Sequence, residues 1–194
     1  IVPPPAGGPY TLQISGPQTV TFTNILVGDV WLCGGQSNME WPLQRARNGE
    51  AEVKAAHHPQ IRLFTVKQQP AYAPASVVQG AWKVCSRQTV TEDSGVSAIG
   101  YFFARKIQSE TNVPIGLIKD CWGGTPAESW AGAEGLRSLG GFDAMLKEVE
   151  RLREKGVPPH GNFITHWHEE FDPGEKAHWF AAGLDDRDWK TVIL

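Results

Sequence analysis

One run, Gly28-Asp-Val-Trp-Leu-Cys-Gly-Gly-Gln-Ser-Asn-Met-Glu-Trp-Pro-Leu43, limits what this chain can become more than any other. Four apolar residues, Val30 to Cys33, read as a short strand that runs straight into Gly34 and Gly35. Glycine permits backbone angles closed to other residues, so the chain can turn sharply there. Ser37, between Gln36 and Asn38, is thereby set at a strand end, with its hydroxyl and its own N–H at the open edge of a sheet. Strand ends position a reactive side chain better than free loops do. The pattern is not the Gly-x-Ser-x-Gly elbow, because Met39 stands where that turn has its second glycine. Taken alone, Gln-Ser-Asn also suits a polar turn whose hydroxyl merely satisfies backbone groups.

A second glycine pair follows another apolar strand. Ser97 is placed to cap a helix on which Ile99, Phe103 and Ile107 recur at i, i+4 and i+8 with Phe102 beside them, and Arg105, Lys106 and Glu110 take the opposite side. Pro114 ends the helical pattern, and Val113–Ile118 reads as a buried strand. A helix followed closely by such a strand is the pattern of an α/β fold. Directly after it comes Cys121-Trp-Gly-Gly-Thr-Pro-Ala-Glu-Ser-Trp130. Two strand ends thus carry glycine-rich turns, one leading to a serine and one to exposed backbone amides. Acyl transfer needs donors aimed at the oxygen that becomes negative in the tetrahedral intermediate, and glycine N–H groups are open to close approach. By itself Gly123-Gly124 reads more readily as an ordinary strand-to-helix turn.

Upstream, Tyr10–Ile14 and Val20–Ile25 alternate in the β manner around the turn Ser15-Gly16-Pro17. Ile61–Val66 and Trp82–Val84 are further strand candidates, and Gln68–Ser76 reads as a Pro/Ala-rich surface loop. Phe142, Met145, Leu146, Val149 and Leu152 mark a second amphipathic helix, stopped by Gly156 and Pro158-Pro159. The three cysteines, Cys33, Cys85 and Cys121, are too few and scattered for a disulfide framework and read as small buried side chains. A net charge of −3 gives no reason to expect nucleic acid as a partner. No apolar run reaches the ~20 residues that span a bilayer.

The longer blocks resemble one family. Gly35-Gln36-Ser37-Asn38-Met39 is similar to the first block of the SGNH/GDSL hydrolases in the form typical of sialate O-acetylesterases and related carbohydrate acetylesterases. Val113-Pro-Ile-Gly-Leu-Ile118 and Trp122-Gly-Gly-Thr-Pro-Ala-Glu-Ser-Trp130 resemble the same family's later blocks, and Gly100-Tyr-Phe-Phe-Ala-Arg105 its intervening helix. The resemblance spans roughly residues 9–130. It implies an SGNH-like three-layer α/β sandwich on a parallel sheet, preceded by the end of a β domain. It implies Ser37 as nucleophile toward an acetyl ester, with Gly124, or less readily Gly123, sharing the oxyanion hole with the Ser37 N–H. Gln36, Asn38 and Trp41 would line the pocket for an acetylated sugar, sialic acid or a related glycan. No cofactor and no metal is implied, and the compartments suggested are secreted, periplasmic or lysosomal.

The family also uses a Gln-Gly-Glu-type block and an Asp-x-x-His block near its C-terminus, and neither occurs here. The chain opens Ile-Val-Pro-Pro-Pro and closes on a strand-like Asp188–Leu194, so it reads as an internal piece of a longer esterase that lacks the catalytic base. The expected division is 1–26 as the end of a β region, 27–159 as the hydrolase body, and 160–194 as the start of another β element. Two other classes compete. His160, His166, His168, Glu169 and His178 could supply zinc ligands, without a recognised spacing. Eight tryptophans could include a sugar-stacking platform in a non-catalytic carbohydrate-binding domain or pseudoenzyme. Trp31, Trp82 and Trp122 suit core packing by their strand contexts, whereas Trp41 and Trp130 adjoin the two motifs.

Overall fold

The alternation at the start of the chain produces β1 (Gly7–Ser15) and β2 (Thr19–Val27), an antiparallel ribbon in this computed structural model. The residues described are 2–157, together with 159, 178, 183, 185 and 187. The chain divides into two compact units, one of residues 1–69 with 76–130 and the other of residues 70–75 with 131–194.

The first unit is built on a four-stranded sheet. The Val30 strand becomes β3 (Asp29–Gly35), followed by the short helices α1 (Ser37–Glu40) and α2 (Gly49–Ala55). Next come β4 (His57–Thr65), β5 (Trp82–Ser86), α3 (Ala98–Thr111) and β6 (Ile115–Cys121). Strand order is β3-β6-β4-β5. β3, β6 and β4 run parallel, as an α/β body requires, while β5 joins β4 antiparallel. Ile115 pairs with Asp29 on one side and Ile61 on the other, so β6 is the central strand. Pro114 falls just before β6, where a missing N–H costs the ladder nothing.

One face of this sheet is covered. Cys33, Ile61, Leu63, Cys85, Ile115 and Leu117 pack there with Ala98, Tyr101 and Ala104 of α3, all buried. The Ser97 hydroxyl accepts from Gly100 N–H at 3.2 Å, the expected cap. The expected apolar stripe is offset, however. Ile99 and Phe103 are 51% and 37% exposed, whereas Phe102 and Ile107 pack against the core beside the buried Ala98, Gly100, Tyr101 and Ala104. At Gly100 helix and sheet approach so closely that a Cβ would sit 2.9 Å from Cys33 Sγ. Phe103 meets Trp31 edge-on at 4.9 Å near the sheet margin. Trp31 and Trp82 are correspondingly 45% and 48% exposed, not core residues: each rests against one aromatic neighbour, Phe103 and Phe64.

Arg105, expected on the solvent side of α3, pairs with Glu52 of α2 and lies over the rings of Tyr101 and Phe102. Lys106 and Glu110 form the exposed i,i+4 pair that their spacing implies. All three cysteines are buried free thiols, as expected.

The second unit contains α4 (Ala133–Leu139) and α5 (Asp143–Glu154), tied by an Arg137–Glu150 ion pair. Leu146 and Leu152 of α5 are buried as the periodicity implies, but Met145 is exposed. The expected change of texture at residue 160, with His160, His166, His168 and Glu169, lies outside the described residues.

Candidate active site

Ser37 opens α1 two residues beyond Gly35, the last residue of β3. Gly35 adopts φ +143°, a conformation that side chains resist, and this bends the chain from strand to helix. Gln36 caps the helix: its side-chain oxygen accepts from Ser37 N–H at 2.8 Å and from Ser37 Oγ–H, also at 2.8 Å. Gln36, Ser37 and Asn38 are all exposed. Met39 points inward, its sulfur 3.4 Å from the Ser97 hydroxyl, and so fixes the roll of the short helix against α3. Trp41 follows the helix and is 49% exposed.

The second turn arrives beside it because β6 is the neighbour of β3. Their ladder ends on the Gly35–Cys121 pair and is extended by Trp122 N–H donating to Gly35 O at 3.0 Å. This sets Gly123 against the serine: a Cβ built on it would lie 3.5 Å from both Cα and Cβ of Ser37. Gly124, at φ +80°, faces open space, with nothing within 4 Å of an added Cβ. The turn is closed by Thr125, whose hydroxyl donates to Trp122 O at 2.7 Å and accepts from Trp130 Nε1 at 2.8 Å. The two glycine-rich turns therefore converge at the carboxyl ends of adjacent parallel strands, where α/β sheets present their ligand sites.

Two residues at this corner were not singled out from the sequence. Glu40 Oε2 accepts from Gly123 N–H at 2.5 Å, and its Oε1 accepts from Gln68 Nε2 at 2.7 Å. Gln68 also donates to Cys121 O at 3.1 Å, although it begins the stretch read as a plain surface loop. The available signal was spacing, since Glu40 lies three residues after Ser37 and shares its side of a helix. A cleft of about 500 Å³ takes Glu40, Gln68 and Cys121 among its lining, together with the buried Lys119. The Lys119 ammonium donates to Gly95 O at 2.8 Å.

Among the described residues, the hydrogen-bond partner of Ser37 Oγ is Gln36 and no histidine reaches it. No group of three metal-ligating side chains occurs among those residues.

The profile of a carbohydrate esterase family, sialic acid-specific acetylesterase, matches residues 27–159, both turns included. The chain belongs to this family. It is similar to the sialate O-acetylesterase of Rattus norvegicus, with 31% identity over 147 residues, 69% of this chain and 27% of that protein. The Homo sapiens sialate O-acetylesterase is 32% identical over 148 residues, 69% of this chain and 28% of that protein. A crystal structure of a carbohydrate acetylesterase from Xanthomonas citri is similar at 40% identity and a TM-score of 0.62, covering 66% of this chain and 29% of that one. The chain thus spans less than a third of the length of each of these relatives.

Proposed function

We propose that this chain carries the nucleophile and part of the oxyanion hole of an esterase that removes O-acetyl groups from sugars. The observation that carries the reading is the approach of Gly123 to Ser37 across neighbouring strand ends, at 3.5 Å from an added Cβ. In this reading Ser37 Oγ attacks the acetyl carbonyl carbon and the alcohol of the sugar leaves. Water then releases acetate from the acetyl-serine. The carbonyl oxygen, negative in each tetrahedral intermediate, is held by Ser37 N–H and Gly124 N–H. Gly124 is favoured over Gly123 because Gly123 N–H already donates to Glu40. Gln36 must then release the serine's two hydrogens to substrate and base, which an exposed side chain can do by rotation. Asn38 and Trp41 border the entry for the sugar. The names of the relatives favour O-acetylated sialic acid or a related acetylated glycan.

A serine hydroxyl is weakly nucleophilic without an adjacent base. Ser37 Oγ meets only Gln36 among the described residues, and the sequence holds no Asp-x-x-His block, so we assign the base to a part of the protein outside this segment. The same observation favours a second reading, in which the segment binds acetylated glycans without cleaving them.

The test is hydrolysis of an aryl acetate and of an O-acetylated sialic acid by the full-length protein. Under this proposal Ser37→Ala lowers kcat by at least about 10³-fold and leaves glycan binding in place. The 194-residue segment alone turns over little or none. An active Ser37→Ala protein would overturn the serine role, and glycan binding without turnover by the full-length protein would establish the second reading.

A further inference from the structure

We propose that Glu40 is a positioning residue for this site, clamping the glycine turn to the serine helix so that Gly124 N–H and Ser37 Oγ serve one acyl oxygen. The inference rests on the serine-esterase reading above.

Its basis is the full use of the carboxylate. One oxygen takes Gly123 N–H at 2.5 Å, the other takes Gln68 Nε2 at 2.7 Å, and the same Gln68 nitrogen reaches Cys121 O at 3.1 Å. Three separate pieces of backbone are thereby joined through one side chain: the helix after β3, the turn after β6, and the chain leaving β4. Bonds to an ionised acceptor are roughly twice as strong as neutral ones, which suits a clamp more than a passing contact. A Cβ on Gly123 would lie 2.8 Å from Glu40 Oε2, so a side chain there would push the carboxylate off its bond to the Gly123 N–H.

A direct chemical role for Glu40 fits less well. A general base must hydrogen-bond to the hydroxyl it deprotonates. Ser37 Oγ–H goes to Gln36 instead, and both Glu40 oxygens are already engaged by N–H donors. A negative charge beside a developing oxyanion also opposes catalysis, unless it is committed to other donors, as it is here. What the clamp supplies is orientation. A displacement of about 1 Å at a reacting centre can cost about 10²-fold in rate, and loss of an oxyanion donor costs 10²–10³-fold.

The experiment compares Glu40→Ala, Glu40→Gln, the swap Glu40→Gln with Gln68→Glu, and Ser37→Ala in the full-length protein. The readouts are kcat and KM on an aryl acetate, and folding by circular dichroism. Expected for Glu40→Ala is a loss of about 10²-fold in kcat, with KM within about threefold of wild type. Glu40→Gln keeps an acceptor for Gly123 but turns a donor toward the Gln68 amide, so its kcat falls about tenfold. The swap restores a donor–acceptor match between residues 40 and 68 but gives up the bond to Cys121 O, so it recovers only a small part of kcat.

A folded Glu40→Ala protein with kcat within threefold of wild type overturns the proposal, as does a loss confined to KM. If Glu40→Ala does not fold, Glu40→Gln decides: kcat within twofold of wild type overturns the clamp. An active Ser37→Ala protein sinks the serine reading itself. An inactive Ser37→Ala beside an unaffected Glu40→Ala sinks only the role of Glu40.

Discussion

Ser37, Gly123 and Glu40 show how unevenly single residues announce themselves. Ser37 and the glycine pair are legible because turn chemistry is local: glycine after an apolar strand implies a sharp bend, and the residue beyond the bend is presented. Glu40 is not, because its partner Gly123 lies 83 residues away and an acidic residue at a helix end is ordinary by itself. The cysteines belong with the legible residues, and their burial has a chemical consequence. Burial pushes the Cys85 thiol up to about 12 and Cys121 to about 11, and it raises Cys33 too. Thiolate is the reactive form, so all three should stay unmodified by iodoacetamide at pH 8 in the native protein and react on unfolding. Mass spectrometry after a short labelling pulse checks this. Native labelling at Cys121 would mean that the end of β6 opens on its own.

Elements were read correctly wherever a period or a breaker was strong. The cap at Ser97, the stop before Pro114 and the strand β3 are of this kind, whereas β4 starts at His57, four residues before the expected Ile61. The buried face of α3 follows the apolar spacing at Phe102 and Ile107, which pack against the core, and departs from it at Ile99 and Phe103. Ala98, Gly100, Tyr101 and Ala104 take the rest of that face, close to the sheet at Gly100, and Ile99 is left outside. The short helices α1 and α2 were missed for want of length, since four and seven residues carry too little periodicity to detect. Close approach also decides the pairing of β3 with β6 at its start. A Cβ on Gly28 would lie 2.0 Å from the carbonyl oxygen of Pro114, which is backbone and cannot swing aside. The adjacent bond from Asp29 N–H to Pro114 O, 3.0 Å, would be displaced with it. Gly28→Ala should therefore cost roughly 1–3 kcal/mol, as forced overpacking does, although it adds only a methyl group. Urea titration measures it, and an unchanged midpoint would show that this strand margin is soft.

The whole molecule registers protonation through His58, on the β4 edge of the core. Its Nε2 shares a 3.1 Å hydrogen bond with the Tyr101 hydroxyl. Burial first, then the charges of Arg105 and His57, hold its pKa below the ordinary 6.5, with Glu52 opposing. As pH falls through 6.5 the unfolded chain takes up the proton before the folded one, so stability present above that pH declines below it. Melting temperature should drop between pH 7 and pH 5.5, and His58→Gln should flatten that part of the slope. Equal slopes in the two proteins would remove His58 as the cause. The α/β class and the parallel core strands were legible at this scale, whereas the antiparallel β5 was not, because nothing in five residues states a strand's direction. The parallel pairing of β3 with β6 has one last consequence, for a chain still being synthesised. Ser37 leaves the ribosome long before Gly123 does, and only when the later strand has emerged and docked can the two meet. Until then the nascent segment holds an ordinary serine, so any chemistry that needs the two turns side by side arrives with tertiary structure and not before it.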